Sequence, residues 1–442
     1  MSQPVFITGV SMTALGKRPA DTVKSLTAEA VREALTDAGA EISDIEAAWF
    51  SNTRQPMLEG QNTVRGQIAL RPLGLTGIPV TNVENACASG STALYQAIQW
   101  LRAGAGDVAL VVGAEKMVFP DRPERVAAAF MGGTDIHDRE GVLAYIAAMG
   151  GEAPGDGRSL FMDLYAAQAR AHMARFGTTQ EDFARLAAKS HTAAALNPKS
   201  QYRTPMTVAQ VMADKPIVFP FTRAMCAPVS DGAAAMVVCS AKGLTRLGAA
   251  ARAVRVRGCA LVSATDRTPD DYARHIGRRA ALTAYEQADL GPEAVDVVEV
   301  HDATSYAELQ QIENLGLAVP GEVGARLKAG DFALGGRTPV NPSGGLVAKG
   351  HPVGATGIGQ LYELIQHLRG EAGNRQVEDA RIAVAENGGG FLGGEEAATV
   401  VTILERAAAL SGTPSAPSMT ACPPSVTAPP CSTATVRSAT AN

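Results

Sequence analysis

Cys87 is the residue of this 442-residue chain whose surroundings best suit nucleophilic chemistry. An apolar, strand-like segment, 77–83, leads into it, and an alanine-rich helical segment follows it. A thiol at the start of a helix lies near free backbone N–H groups and the positive end of the helix dipole, and both favour a thiolate. The alternative is a buried cysteine with a purely structural role.

His351 is the second residue with chemical potential, in a glycine- and proline-rich turn at 341–357 that leads into another helical segment. A histidine beside a cysteine can accept the thiol proton, which is a standard route to an activated thiolate. The alternative is a histidine that only makes hydrogen bonds within its loop.

Two further polar segments follow apolar, strand-like runs. His301 and Asp302 follow VDVVEV, and Glu386 follows RIAVA and precedes the glycines at 388–390. Strand ends are where α/β sheets place catalytic groups, and the backbone N–H groups of consecutive glycines can stabilise an oxyanion. The alternatives are a capping aspartate with a surface histidine, and a tight glycine turn.

The elements that must position these residues occur twice along the chain. A strand, a helix and a second strand-containing segment are predicted at 5–10, 22–38 and 42–52, and again at 253–262, 272–288 and 290–303. The second helix has four residues available for one apolar face, namely Ile276, Ala280, Leu282 and Tyr285. The turns of Cys87 and His351 occupy equivalent places, so a pseudo-twofold axis between two βαβ-type halves would bring them together. The alternative is the ordinary alternation of an α/β protein.

This duplication predicts four regions. An N-terminal half comprises 1–118 and 229–250, and a C-terminal half comprises 251–406. Between them, 119–228 is an insertion or lid with helices at 160–176 and 179–197. The last region, 407–442, has low complexity and is predicted to be disordered.

Composition excludes several other classes of protein. Hydrophobic residues make up 46% and charged residues 19%, which predicts a large soluble core. The net charge of −5, without a Lys/Arg cluster, argues against nucleic-acid binding. There is no apolar run of about 18 residues and no signal segment, so no membrane span and a cytoplasmic location are predicted. The six cysteines lack metal-type spacing, which predicts reduced thiols and no metal site.

The motifs around these residues resemble those of the thiolase family, most closely the sterol-carrier-protein-type and archaeal-type thiolases. N-A-C-A-S-G-S at Cys87 and N-P-S-G-G…K-G-H-P-V-G-A-T-G at His351 are specific, and the similarity spans about residues 3–405. The resemblance implies an α/β fold with five αβαβα layers, usually in a homodimer or a higher oligomer. It also implies acyl-CoA as substrate with no permanently bound cofactor, and in some members a small OB-fold partner subunit.

The resemblance also implies roles for individual residues. Cys87 matches the acylated nucleophile, and His351 matches the histidine that activates it and helps to form an oxyanion hole. His301 matches a position that is Asn or His in thiolases, and the N–H of Gly389 joins that of Cys87 in a second oxyanion hole. Ser343 and Gly344 lie in the segment that contacts the pantetheine arm of coenzyme A, and the insertion contributes to that site.

The second, acid-base cysteine of thiolases is missing, because Ala303 and Glu386 stand at the two positions that carry it. Cys226 resembles a cysteine of the sterol-carrier type and is not expected to replace it. Three functions stay open. Glu386 can serve as the base of a thiolase. Cys87 can pass its acyl group to an acceptor that needs no such base, in a ketosynthase-like condensation with a malonyl or non-CoA acceptor. The chain can also be a catalytically impaired, CoA-binding scaffold protein.

Overall fold

The computed structural model describes residues 3–155 and 158–407, so the predicted tail lies outside the described residues apart from Ala407. The strands in chain order are β1 Val5–Met12, β2 Ala47–Ser51, β3 Val80–Val83, β4 Val108–Glu115, β5 Pro216–Val218, β6 Phe221–Thr222, β7 Gly232–Ser240, β8 Val254–Ser263, β9 Val297–Glu299, β10 Ile382–Gly389 and β11 Ala398–Arg406.

The α-helices in chain order are α1 Val23–Ala38, α2 Gln55–Glu59, α3 Arg65–Leu70, α4 Ser89–Arg102, α5 Pro123–Met131, α6 Arg139–Ala148, α7 Leu160–Phe176, α8 Gln180–Ala195, α9 Val208–Met212, α10 Ala241–Leu247, α11 Ile276–Ala288, α12 Ser305–Asn314, α13 Val323–Lys328 and α14 Thr356–Arg369. No helix of 3–155 or 158–407 has both the length and the apolar character that crossing a lipid bilayer requires.

Nine strands form one mixed sheet in the order β3-β2-β4-β7-β1-β8-β11-β10-β9. At its centre β1 and β8 are antiparallel, from Val5 opposite Val256 to Ile7 opposite Val254. On one side of this pair β7, β4 and β2 follow with antiparallel, antiparallel and parallel pairing. On the other side β11, β10 and β9 follow with the same three pairings. This equal arrangement on the two sides confirms the predicted duplication of the core.

The helices and strands stack in five layers. α1 and α10 cover the outer face of the first-half strands, and α11 and α12 cover the outer face of the second-half strands. Between the two sets of strands lie α4 and α14, whose Leu94, Ile98, Ile358 and Leu361 are fully buried in one cluster. The predicted αβαβα fold is therefore confirmed.

Local sequence explains where the first long helix begins and ends. Thr22, the N-cap of α1, and Ser25, in its first turn, form a capping box, because each side chain accepts a hydrogen bond from the backbone N–H of the other. The helix ends at Gly39, which has a φ of 63°, a left-handed conformation that glycine adopts without strain. This helix was predicted to within one residue at its start.

The equivalent helix of the second half differs from its prediction. α11 begins at Ile276 instead of residue 272, because Tyr272–Arg274 form a 3-10 turn and the ring of His275 accepts a hydrogen bond from Gly277 N–H as the helix cap. The prediction that Leu282 lies on the buried face is wrong, since its side chain is 51% exposed. The other three residues of the predicted face, Ile276, Ala280 and Tyr285, are buried, and Ala281, Ala284 and Ala288 complete that face.

The region predicted as an insertion contains α5 to α9 and the small β5–β6 sheet, with α7 and α8 at the two predicted helical segments. Phe183 of α8 is buried in the same cluster as Tyr306 of α12, so this region is packed onto the second half. Residues up to Ala407 form one compact unit. The exact boundaries of the predicted regions stay predictions.

Candidate active site

The Cys87 turn joins β3 to α4 and places the thiol at a sharp bend. Ala86 has a φ of 50°, in the left-handed region that residues with a side chain rarely adopt. The hydroxyl of Ser89 accepts a hydrogen bond from Asn85 N–H at 2.8 Å and donates one to the Ala86 carbonyl at 2.5 Å. These bonds hold the strained turn in place, and Cys87 lies just ahead of the helix, as the sequence predicts.

His351 is held in one orientation by hydrogen bonds on both sides. Its backbone N–H donates to Ser230 Oγ at 2.9 Å, and its ring Nδ1 lies 2.7 Å from Thr356 Oγ1. We assign the Thr356 hydroxyl proton to its hydrogen bond with the Pro352 carbonyl at 3.1 Å, and in this arrangement the ring Nδ1 supplies the proton of the shorter bond. The lone pair of the neutral ring is then on Nε2, where it can accept a proton.

Cys87, His301 and His351 meet at one point of the structure. The Cys87 sulfur and one nitrogen from each histidine lie within 4.8 Å of one another. The two imidazole rings are edge to face, with centroids 5.2 Å apart. Both ring nitrogens of the buried His301 lack a hydrogen-bond partner within the described part of the chain. Buried polar atoms of this kind usually have a partner, and a bound substrate can supply it.

Burial keeps these three side chains neutral at neutral pH. It raises the pKa of the Cys87 thiol to about 11, although the positive charge of Arg54 acts in the opposite direction. Burial lowers the pKa of His301 to about 4. Burial, and after it the neighbouring His301, lowers the pKa of His351 well below its usual value. Burial of Cys87 therefore outweighs the effect of the helix start, which favours a thiolate, and the thiol loses its proton as the sulfur attacks.

We expect the rate of Cys87 acylation by an acyl-CoA to be nearly constant between about pH 6 and 9. A thiol with a raised pKa stays protonated throughout this range, and imidazoles with lowered pKa values stay neutral. The rate should fall only in acid, far below the usual histidine pKa, where His351 becomes protonated, because protonated imidazole cannot accept the thiol proton. Quenched-flow mass spectrometry at a series of pH values measures this rate. A roughly tenfold rise per pH unit above neutrality would contradict the expectation, because it indicates a thiolate formed before attack.

The cysteine and the two histidines line a cavity of about 390 Å³, a volume typical of small-molecule sites. Its walls are mostly apolar and come largely from the inserted region, with Phe130 of α5, Phe161 and Met162 of α7 and Ile217 of β5. Such walls suit a short acyl chain.

Cys226 also lines this cavity, and it is not suited to act as a base. Its sulfur lies 3.6 Å from the Thr222 carbonyl, and burial raises its pKa to about 12. A thiol with so high a pKa is not ionised at neutral pH and cannot accept a proton. That Cys226 does not replace the missing cysteine stays a prediction.

The two positions at which thiolases carry their second cysteine differ in their access to the cavity. Ala303 lines it, whereas Glu386 does not. Glu386 Oε2 accepts a hydrogen bond from the backbone N–H of His301 at 3.1 Å, and Oε1 has no partner among the described residues. Burial, and then the charge of Glu396, raises the pKa of Glu386 well above its usual range, so this carboxyl is neutral. Glu386 thus supports His301 from behind the cavity wall.

Gly389, at the end of β10, lies directly against the Cys87 turn. A Cβ atom at this position would come within 2.5 Å of the Ala88 nitrogen and 2.7 Å of the Cys87 nitrogen, far inside normal contact distances. Only glycine fits here. The structure therefore brings the backbone of Gly389 to the backbone of Cys87.

Ser343 and Gly344, the predicted contacts of coenzyme A, do not line the cavity. Ser343 is buried, and its hydroxyl donates to Glu299 Oε2 at 2.7 Å. Gly344 has a φ of 107° and packs against Ala194. Both residues hold the turn that precedes His351, and their contact with coenzyme A stays a prediction.

The same three site residues form the group of cysteine and histidine ligands that can surround a metal ion within the described ranges. Thiolate and imidazole suit zinc. An ion bound there would occupy the sulfur that acyl chemistry needs, and the expectation of no metal stays a prediction.

Two residues of the site, Arg54 and Thr356, are not predicted from the sequence. Arg54 follows β2 and lines the cavity, and the available signal was a basic residue just beyond the end of a buried strand. Thr356 lies within the motif of His351, but its hydrogen bond depends on how the turn folds. Residue types and spacing do not reveal that geometry.

Known proteins are similar to this chain in sequence and in fold. Residues 5–219 match the family model "Thiolase, N-terminal domain", and residues 260–406 match "Thiolase C-terminal domain-like". Sterol carrier protein 2 of Rattus norvegicus is 36% identical over 409 residues, which cover 90% of this chain and 71% of that protein. An acetyl-CoA acetyltransferase of Methanothermobacter thermautotrophicus is 37% identical over 391 residues, which cover 87% of this chain and 96% of that enzyme.

A third relative is the benzoylsuccinyl-CoA thiolase subunit BbsB of Thauera aromatica, which is 31% identical over 395 residues and is covered over 96% of its length. Among solved structures, an Ltp2-ChsH2(DUF35) aldolase superposes with a TM-score of 0.73 at 23% identity. The match covers 90% of this chain and 97% of that chain, and it shows the same fold.

Proposed function

The chain belongs to the thiolase family of acyltransferases, and from this premise we propose that it is an acyl-CoA C-acyltransferase that works through an acyl-thioester on Cys87. The observation that carries the proposal is the approach of the Cys87 sulfur to nitrogens of His301 and His351 within 4.8 Å on the wall of one cavity. The acyl group passes from Cys87 to a carbon acceptor or to coenzyme A.

In the proposed first step, the Cys87 sulfur attacks the thioester carbonyl carbon of an acyl-CoA. The thiol proton passes to Nε2 of His351, whose Nδ1 keeps its own proton toward Thr356. The bond between the carbonyl carbon and the sulfur of coenzyme A then breaks, and the leaving thiolate takes the proton back from His351. The products are acyl-Cys87 and free coenzyme A.

Two sets of donors are proposed to stabilise the oxyanions of the reaction. The backbone N–H groups of Cys87 and Gly389, which the fold brings together, serve the carbonyl oxygen of the acyl group. The second donor is the unpartnered ring N–H of His301, which serves the carbonyl oxygen of the acceptor, whereas the neutral His351 beside it presents a lone pair.

The second step depends on how the acceptor carbon becomes nucleophilic. Ala303, which lines the cavity, cannot remove a proton, and Glu386 does not reach the cavity. We therefore favour an acceptor that needs no such base, for example a malonyl unit whose carbanion forms by loss of carbon dioxide. A second candidate is a thiolase with Glu386 as its base, which the unpartnered Oε1 of that carboxyl among the described residues favours.

Glu386→Gln separates these two candidates. Glutamine has the shape of a neutral carboxyl and keeps an oxygen for the His301 N–H. We therefore expect Cys87 acylation and turnover with the acceptor to stay within about threefold of wild type. Acylation is measured by mass spectrometry, and turnover with malonyl-CoA, or thiolysis of acetoacetyl-CoA, by chromatography of the products.

The exposed Glu378 provides a matched control, Glu378→Gln. A fall in turnover of roughly 10²- to 10⁴-fold in Glu386→Gln, with acylation retained, would identify Glu386 as the base and establish the second candidate.

The proposal as a whole is tested by mass spectrometry of the full chain after incubation with a panel of acyl-CoAs. We expect an added acyl mass on the peptide that contains Cys87. If no acyl-CoA of the panel acylates the chain, the enzymatic proposal fails, and a CoA-binding scaffold protein becomes the better description. Coenzyme A is a substrate in this proposal, while the homodimer and the small OB-fold partner stay predictions.

A further inference from the structure

Three arginine side chains line the cavity that holds Cys87, namely Arg54, Arg158 and Arg223. Arg158 is paired with Asp163 at 2.6 Å, and Arg223 is paired with Asp214 at 2.7 Å. Arg54 forms no ion pair with any carboxylate in the described part of the chain. Of the three arginines at the cavity wall, Arg54 is therefore the one whose guanidinium forms no ion pair with a carboxylate of residues 3–155 and 158–407.

The Arg54 side chain is buried, with only 8% of its surface exposed. Nη1 donates to the Ala129 carbonyl, and the guanidinium lies 5.0 Å from the centre of the Phe130 ring. Nε is buried and has no hydrogen-bond partner among the residues that the structure describes. An arginine has several N–H donors, and a buried cation with so few acceptors is costly unless a bound group completes it.

The acidic residue next to Arg54 in the fold, Glu115, does not serve this purpose. Its two carboxylate oxygens accept hydrogen bonds of 2.8 to 3.0 Å from Asn52, Thr53, the backbone N–H of Arg54 and Gly354. These donors are backbone and neutral side-chain groups, so the acceptor sites of Glu115 are filled without the Arg54 guanidinium. The cation thus keeps donors for a ligand in the cavity.

Activation of Cys87 does not sufficiently explain why the positive charge of Arg54 lies at the cavity wall. The positive charge lowers the pKa of the thiol, but burial is the stronger effect and the pKa stays at about 11. The resting cysteine therefore remains protonated despite this cation, and no carboxylate of the described residues forms an ion pair with the guanidinium.

We propose that Arg54 binds a carboxylate group carried by the acyl chain, so that the preferred donor is the CoA thioester of a short dicarboxylic acid. This inference rests on the proposed acylation of Cys87 and names its substrate class. The thioester carbon lies at Cys87, the methylene groups lie against the apolar wall that includes Phe161 and Met162, and the distal carboxylate reaches Arg54. Guanidinium and carboxylate form charge-assisted, often bidentate hydrogen bonds, which a buried site strengthens.

The experiment compares CoA thioesters of equal chain length with and without a distal carboxylate: succinyl with butyryl, glutaryl with pentanoyl, and adipyl with hexanoyl. The rate constant for acylation of Cys87 is measured by quenched mass spectrometry in wild type, Arg54→Met and Arg54→Lys, without an acceptor. We expect wild type to favour the dicarboxylic member of at least one pair. In Arg54→Met that preference should fall roughly 10- to 100-fold, with Arg54→Lys in between.

Arg125→Met is the matched control, because Arg125 is an exposed arginine of α5 outside this cavity and should keep the wild-type preference. A wild-type enzyme without preference for any dicarboxylic member would overturn the inference. An equal loss for both members of every pair in Arg54→Met would overturn it too, because it places Arg54 at Cys87 or at coenzyme A.

Calorimetric binding of the same thioesters to Cys87→Ser and to Cys87→Ser/Arg54→Met separates this inference from the proposed function. If wild type is not acylated by any thioester, the proposed function fails, but a selective loss of dicarboxylic binding in the double variant still supports Arg54. If wild type is acylated and dicarboxylic binding is unchanged in the double variant, only the inference about Arg54 fails. Circular dichroism spectra and melting curves verify that each variant is folded.

Discussion

Cys87→Ser should remove acyl transfer almost completely, with turnover lowered by roughly 10⁴-fold or more and no acyl mass on the chain after incubation with acyl-CoA. A serine hydroxyl is far less acidic than a thiol. The proposed base, His351, has a pKa lowered by burial and is therefore too weak to ionise a hydroxyl. Intact-mass measurements and product chromatography report the two losses separately.

Cys239→Ala is the control for this substitution, because Cys239 lies in β7 within the first-half core and does not line the cavity. This variant should still be acylated. Acyl mass that persists in Cys87→Ser and maps to Cys226 would contradict the assignment of the nucleophile, since Cys226 is a second thiol of the cavity wall.

His351→Ala should lower the rate of Cys87 acylation at neutral pH by roughly 10²- to 10⁴-fold. It should also change the shape of the pH profile. Without the imidazole, the thiol must ionise before it attacks, so the rate should rise about tenfold per pH unit toward the Cys87 pKa of about 11. Wild type, in contrast, should show a flat profile, because its proton acceptor stays neutral over this range.

His137→Ala is the matched control, since His137 is an exposed histidine outside the cavity and its removal should leave the flat profile intact. Added imidazole should restore part of the activity of His351→Ala by entering the space left by the ring. A flat profile with less than a tenfold loss in His351→Ala would contradict the assignment, and would indicate that His301 accepts the thiol proton.

The order of strands and helices could be predicted because it depends on patterns that are local in the sequence. The apolar run of β1 and the capping residue Thr22 define the ends of their own elements. The duplication of these patterns then predicts that the turns of Cys87 and His351 meet. The sequence wrongly predicts Leu282 on the buried face of α11, because leucine is more apolar than alanine. In the structure, Ala281, Ala284 and Ala288 are buried there and Leu282 is exposed.

The electrostatics of the site could not be predicted, because burial is a property of the folded chain. A helix start favours a thiolate, yet desolvation of Cys87 outweighs it. Likewise, Glu386 and Ala303 look equivalent as replacements of a cysteine, and only the fold shows that one lies behind the cavity wall and the other in it. That Arg54 forms no ion pair within the described residues also follows only from the fold, which sets the contacts between segments that are far apart in the sequence.

The central pairing of β1 with β8 has a consequence for how such a site can diverge. The thiol of Cys87 belongs to one half of the duplicated core, whereas Ala303 and Glu386, the places for a second acid-base group, belong to the other half. In the proposed function, the first half thus supplies the nucleophile, and the second half supplies both its proton acceptor, His351, and the positions that decide the acceptor chemistry. Substitutions at positions 303 and 386 can therefore exchange the acceptor chemistry while the pairing of Cys87 with His351 across the two halves stays in place.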